Sequence, residues 1–222
     1  MSVILSSRPE ISPEITPTVL VIDDDPELRN SLGRLLRSVG LNTQLFASVP
    51  DFLKTKRPNG PACLVLDVRL PGQSGLDFQR ELAAANMQLP IVFITGHADV
   101  PMSVQAMKGG AVEFLTKPFR EQDLLDAIRL GLERDRVRRE ADENLRGLRE
   151  RFEALSPRER EIMIEVARGR LSKQIAGDIG VSATTVKVHR SNLMRKMKIR
   201  SITELTRIAD KLNLVQQKPL SS

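Results

Sequence analysis

Four short apolar runs in this 222-residue chain each end in residues suited to phosphoryl chemistry. Thr18-Val19-Leu20-Val21-Ile22 runs into Asp23-Asp24-Asp25, Cys63-Leu64-Val65-Leu66 into Asp67, Ile91-Val92-Phe93-Ile94 into Thr95-Gly96, and Ala111–Leu115 into Thr116-Lys117-Pro118. Carboxylates that converge repel one another, and a hard divalent cation with oxygen coordination offsets that cost; Mg²⁺ suits one or two carboxylates, water and phosphate oxygens. The other reading of such a set is a solvated cluster at strand ends. An ionised aspartate is also a nucleophile that forms an acyl phosphate. It needs little acid–base help, but it does need a cation to hold the phosphoryl oxygens. Asp67 stands alone at the end of a central run, Lys117 can neutralise a further phosphate oxygen, and Thr95 can donate a hydroxyl hydrogen bond. His97 and His189, 92 positions apart, and the single Cys63 give no zinc signature.

Residues from 18 to about 120 alternate short apolar runs with amphipathic stretches such as Leu28, Leu32, Leu35, Leu36 and Val39. Apolar runs without polar alternation belong to strands covered on both faces. The expected fold is therefore an α/β doubly wound five-stranded parallel sheet with helices on each side, whose ligands bind beyond the carboxyl ends of the strands. Cys63 is expected to be a buried, inert thiol in one of these strands.

The rest of the chain reads as a linker helix and a small all-α unit of four helices with a helix-turn-helix. Ser156-Pro157-Arg158-Glu159 is a helix start, with a capping Ser, Pro at the first helical position and Glu three residues after the Ser. Gly169 ends that helix, Ser172 is the expected cap of the next, Gly180 ends it, and Ser182 caps a third running to about Met197. A break at Arg200-Ser201 precedes the last. In such a pair the second helix enters the major groove. The expected limits are a flexible tail over 1–17, the sheet domain over 18–136, the linker helix over 137–154, the helix-turn-helix domain over 155–214 and a second tail over 215–222.

Charge separates the two parts. Residues 1–150 hold 19 basic and 21 acidic side chains, and residues 151–222 hold 15 and 7. A positive surface on the smaller part suits a polyanion. The absence of Trp and Tyr argues against a platform of stacked aromatics for single strands or RNA. Ile175, Ala176, Ile179, Val181, Val186, His189, Leu193 and Met197 are expected on the core side of the helix pair. On the other side, Lys187, Val188 and Ser191 are candidates for base edges, and Lys173, Thr184, Arg190 and Arg195 for phosphates, with Thr185 beside them. No run reaches the length of a membrane span and no signal-peptide pattern opens the chain, so a cytoplasmic protein with no membrane partner is expected.

The ordered landmarks Val21–Asp25, Leu66-Asp67-Val68-Arg69-Leu70-Pro71-Gly72-Gln73-Ser74-Gly75, Ile94–Ala98 and Gly109–Phe119 resemble the receiver domains of two-component response regulators, and Gly96–Met102 resembles the FixJ branch in particular. Leu155–Glu161, Lys173–Ala176, Gly180–Ser182, Thr184–Arg190 and Asn192–Met197 resemble the LuxR/FixJ-type helix-turn-helix. The resemblance implies that Asp67 accepts a phosphoryl group from a cognate sensor histidine kinase. It also implies that Asp23, Asp24, Asp67 and the backbone carbonyl of Arg69 bind Mg²⁺, that Thr95 and Lys117 sense the phosphoryl group, and that Phe114 is the switch aromatic. It further implies a homodimer when phosphorylated, pairing over a face of roughly residues 99–132, double-stranded promoter DNA with a two-fold site read by helix 184–197, and RNA polymerase among the partners. Two departures stand out: Gly177-Asp178 in the scaffold helix, and Ala183 where Glu is common. Two rival readings remain open. A phosphatase of the acyl-phosphate type is disfavoured because Arg69 occupies the place of its acid–base aspartate, so a non-enzymatic role is expected; the other is a constitutive DNA-binding protein with a vestigial receiver.

Overall fold

The computed structural model describes residues 16–97 and 99–215. The expected tails, apart from Thr16, Pro17 and Val215, lie outside the described residues, as does Ala98. The described residues divide into two compact units, the first ending at Arg139 and the second beginning at Glu140.

In the first unit, strand β1 (Thr18–Ile22) leads to helix α1 (Pro26–Ser38), β2 (Asn42–Phe46), α2 (Val49–Leu53) and β3 (Ala62–Asp67). A short antiparallel ribbon follows, β4 (Arg69–Leu70) with β5 (Gln73–Ser74), which the apolar pattern does not announce because it carries only four residues. Then come α3 (Gly75–Ala84), β6 (Ile91–Thr95), α4 (Val100–Lys108), β7 (Glu113–Thr116) and α5 (Glu121–Glu153). The main sheet is parallel throughout, in the order β2-β1-β3-β6-β7. Its topological switch point therefore lies between β1 and β3, where this kind of sheet places its ligand crevice.

Strands β1, β3 and β6 are buried along their length, as continuous apolar runs require. The edge strands β2 and β7 are only partly covered. The last strand begins at Glu113, two residues later than expected: Ala111 and Val112 are buried but serve to turn the chain in, with the Val112 N–H donating to Ile91 O at 2.7 Å. One face of the sheet packs Leu20, Ile22, Leu64, Leu66 and Phe93 against Phe46, Phe52 and Phe78, whose rings meet edge to face at 5.5 and 5.6 Å. The other packs Val19, Val21, Val65, Val92 and Ile94 against Leu32, Leu36, Leu124 and Ile128.

Helix α5 is a single helix of 33 residues, so the last receiver helix and the linker helix of the sequence reading are continuous. Gly131 lets it lie close on β3, since a Cβ there would stand 2.5 Å from Cys63 Sγ. One turn on, the fully buried Asp135 accepts from the Ala62 N–H at 2.9 Å, from Arg139 Nε at 2.6 Å and from Arg138. Arg139 also donates to the carbonyls of Pro58 and Asn59.

In the second unit, α6 (Pro157–Ala167), α7 (Ser172–Ile179), α8 (Ala183–Met197) and α9 (Ile202–Lys211) surround a core of Leu155, Ile162, Met163, Val166, Ile175, Val186, Leu193, Met197 and Leu205. The Ser156/Glu159 capping box is formed in both directions. Ser172 is not the cap of α7. The helix starts one residue earlier in cap position, at Leu171, whose N–H is satisfied by Gln174 Oε1 at 2.9 Å, leaving Ser172 in the first turn. Helix α8 likewise starts at Ala183 rather than at the expected Thr184, because Ser182 caps it by accepting from the Thr185 N–H at 3.0 Å.

Candidate functional site

Sheet register brings the chemistry together. Ile22 pairs with Leu66, so Asp23 and Asp67 leave adjacent strands at the same level; Asp67 pairs with Ile94 and Thr95 with Thr116, which places Thr95 and Lys117 at the same edge. Oxygens of Asp23, Asp24 and Asp67 lie within 4.8 Å of one another. Asp23 is fully buried, Asp67 is 6% exposed, and Asp24 faces solvent. Lys117 Nζ donates to Asp23 Oδ2 at 2.8 Å and to Asp67 Oδ2 at 2.6 Å. Its Lys117–Pro118 peptide is cis.

Backbone groups hold the remaining oxygens. The Asp25 N–H donates to Asp23 Oδ1 and the Arg69 N–H to Asp67 Oδ1, both at 2.9 Å. Asp25 itself caps α1, accepting from the N–H groups of Glu27 and Leu28, which separates the third aspartate of the run from the cluster. Burial pushes the Asp23 carboxyl above its ordinary value despite the hydrogen bond and charge of Lys117. For Lys117, burial pulls the ammonium down, but its bonds to Asp23 and Asp67 outweigh this and hold it above the ordinary lysine value. Two further residues shape the site, Arg29, to which the sequence reading gave no role, and Gly75, which entered it only as the last residue of a landmark run. Arg29 Nη1 donates to the Asp23 carbonyl at 2.6 Å. Gly75 opens α3 so close behind Asp67 that a Cβ would stand 2.4 Å from the Asp67 carbonyl oxygen.

Thr95 is fully buried; its hydroxyl donates to the His97 carbonyl and accepts the His97 N–H, both at 3.3 Å. Hydroxyl bonds are usually about 2.7–2.8 Å, so these local contacts are loose. His97 is exposed and touches the site through its backbone. Phe114 is half-buried, its ring 6.2 Å from that of Phe93. Arg69 extends its side chain into solvent. Cys63 is fully buried and burial pushes its thiol up to about 12, as an inert core thiol requires.

The donor set fits a hard divalent cation. Three carboxylates face one ammonium, and oxygen is the only ligand type they offer.

In the second unit, Thr184, Lys187, Val188, Ser191 and Arg195 are all exposed and fall at helical spacing on one stripe of α8, opposite the buried Val186, Leu193 and Met197. Val188 is 55% exposed, an apolar side chain left in water at the centre of that stripe. Thr185 and Arg190 are half-buried on the flanks, and the Thr185 hydroxyl is engaged with Ser182 Oγ at 2.8 Å. Lys173 is exposed on α7. His189, expected in the core, is half-buried on a shoulder between the two faces. Among the described residues no helix is long and apolar enough to cross a membrane.

Residues 19–129 match the family model of the response regulator receiver domain, and residues 153–209 that of the bacterial regulatory proteins of the luxR family. The chain is 52% identical over 196 residues to nodulation protein W of Bradyrhizobium diazoefficiens, an alignment covering 88% of this chain and 86% of the relative. It is 42% identical over 197 residues to the transcriptional regulatory protein FixJ of Azorhizobium caulinodans, covering 89% and 93%. Among solved structures it is similar to the response regulator StyR, with a TM-score of 0.79 and 47% identity over 88% of this chain and 99% of that one. Strand-end aspartates around a half-buried lysine, joined in one chain to a helix-turn-helix unit, thus have a shared origin as well as a shared geometry: this chain belongs to the two-component response regulators, transcriptional regulators with a receiver domain and a LuxR-type DNA-binding domain.

Proposed function

We propose that Asp67 is the phosphoacceptor of this regulator and that its donor is the phosphorylated histidine of a cognate sensor kinase. The observation that carries the reading is the meeting of Asp23, Asp24 and Asp67 oxygens within 4.8 Å, with Lys117 joining Asp23 to Asp67. Asp23, Asp24, Asp67 and the carbonyl of Arg69 are the residues that would hold Mg²⁺. Bound there, the ion supplies positive charge to the phosphoryl oxygens. The Asp67 carboxylate attacks phosphorus, an O–P bond forms as the P–N bond of phosphohistidine breaks, and the electron pair leaves with the imidazole, which takes up a proton. Lys117 stands ready as a cation beside the new oxygens. Thr95 exchanges its loose bonds to His97 for a phosphoryl oxygen, and Phe114, at the half-buried edge of the core, follows it.

The output is binding of double-stranded DNA by α8. Lys187, Val188 and Ser191 read bases, while Thr184, Arg195 and Lys173 hold phosphates, with Arg190 and Thr185 at the flanks. Phosphorylation pairs two receivers across roughly residues 99–132, which brings two output domains to a two-fold promoter site in the cytoplasm, where RNA polymerase is the further partner. We assign the receiver to 18–136, the linker helix to 137–154 and the DNA-binding domain to 155–214. The site performs no turnover of external phosphate esters, since Arg69 stands where an acid–base aspartate would act.

Phosphorylation with acetyl phosphate and Mg²⁺, followed by intact mass, tests the assignment. One phosphoryl adduct is expected on the native chain and none on Asp67→Ala. An adduct that persists in Asp67→Ala would place the acceptor elsewhere.

A further inference from the structure

Several arginines that make the second unit basic are turned inward onto the carboxyl ends of helices. Arg158 Nη2 donates to the carbonyl of Ile179, the last residue of α7, at 2.9 Å. Arg160 donates to the carbonyls of Glu153 and Leu155 where α5 ends, both at 3.0 Å. Arg151, in the last turn of α5, donates Nη1 to the carbonyl of Met197, the last residue of α8, at 3.1 Å and Nε to Gly147 O at 2.9 Å. The final carbonyls of a helix lack intrahelical partners and carry the negative end of its dipole, so a guanidinium there is favoured twice.

A second tie reaches the same end of α8. Lys196 Nζ donates to Glu159 Oε2 at 2.7 Å, and Glu159, 3% exposed, also accepts the Ser156 N–H at 2.8 Å. Leu148 and Phe152 of α5 pack against the core that holds Val186, Leu193 and Met197.

We propose that Arg151 is a positioning residue for DNA reading, fixing the end of α8 to the last turn of the linker helix, with Lys196–Glu159 as the second tie and no contact of its own with DNA. The proposal rests on α8 being the reading helix. Its chemistry follows from where the donors go. Arg151 is half-buried and two of its nitrogens are spent on backbone carbonyls; Lys196, next to the phosphate candidate Arg195, is spent on a buried carboxylate. Side chains that read bases must be held to within about 0.5 Å by supporting contacts. Here that support comes from outside the helix pair, from the segment that also leads to the receiver.

The test uses the full chain with Mg²⁺ and beryllofluoride, and a duplex enriched by that protein from a random-sequence pool. Binding is followed by anisotropy across a range of salt, with the folded fraction of each variant fixed by circular dichroism. Arg151→Met is expected to weaken binding about tenfold, the effect of losing one charge-assisted hydrogen bond, with the salt slope unchanged. Arg151→Lys should recover most of the loss. Binding by Arg151→Met within about twofold of native, whatever its melting temperature, would overturn the proposal, and so would a salt slope shallower by about one unit, which marks a lost phosphate contact. If Arg151→Met does not fold, Glu159→Gln carries the same test. It keeps an acceptor for the Ser156 N–H, cuts the charge tie to Lys196, and is expected to weaken binding several-fold at unchanged slope; native binding by this variant would equally overturn the proposal. A joint Lys187→Ala, Val188→Ala variant serves as the reference. If that one binds like the native chain, the fault lies in reading α8 as the DNA helix and not in Arg151.

Discussion

Asp23 shows the electrostatic cost of gathering carboxylates at the strand ends. It is fully buried beside Asp67, and Lys117 is shared between the two. Because its folded pKa is raised, chiefly by burial, its ionised form opposes folding; its contribution is fully favourable only below the ordinary value of 3.8 and is lost as pH rises. Asp23→Asn should therefore raise the Tm of the metal-free protein at neutral pH while removing Mg²⁺ binding, which calorimetry can follow in a chain with no Trp. A lower Tm with Mg²⁺ affinity retained would contradict both parts. Asp23, Asp24, Asp67, Thr95 and Lys117 were legible as a set because each follows an apolar run, and strand ends in a parallel sheet converge. Arg29 was not, and Gly75 was named only as part of a landmark, without its role. The first acts through a backbone carbonyl and the second through lack of a Cβ, and neither leaves a mark in composition or periodicity.

At the scale of elements, α5 is docked by two unlike contacts on β3. Gly131 meets Cys63, and Gly131→Ala should destabilise by about 1–3 kcal/mol, the usual cost of overpacking, with Cys63→Ala recovering part of it in the double variant. Additive effects in urea melts would mean that the two do not share a contact. Asp135 is the other contact. Burial raises its carboxyl, but the bonds from Arg138, Arg139 and the Ala62 N–H prevail and hold it below the ordinary carboxylate value. Its stabilisation is thus present above pH 3.8 and is lost as pH falls through the lower folded value. Asp135→Asn should cost about 3 kcal/mol at pH 7, the scale for breaking a buried ion pair, and the gap to the native chain should close in acid. An equal gap at pH 7 and at pH 3 would exclude this account. The five strands and the four short helices were legible from apolar runs, caps and glycines. The β4–β5 ribbon was too short to show a period. Leu171 as the cap of α7 was hidden because the satisfying group is the Gln174 side chain reaching back, while Ser172 offers the more familiar signal.

For the whole molecule, charge counted from sequence overstates what is offered to DNA. Arg151, Arg158 and Arg160 reach backbone carbonyls, Lys196 reaches Glu159, and Arg168 and Arg170 reach Glu165. The cations placed against phosphates are Lys173, Arg190 and Arg195, so the salt slope of DNA binding should be about −3 per chain. A slope near twice that would show that further cations of this unit, beyond these three, reach the DNA phosphates. The central claim is that phosphoryl acceptance at Asp67 governs assembly of the DNA-binding form. Sedimentation of the purified chain with Mg²⁺, with and without beryllofluoride, beside Asp67→Ala, tests it most directly. A monomer that becomes a dimer only in the native chain is the predicted result. An unchanged mass, or the same change in Asp67→Ala, would contradict it.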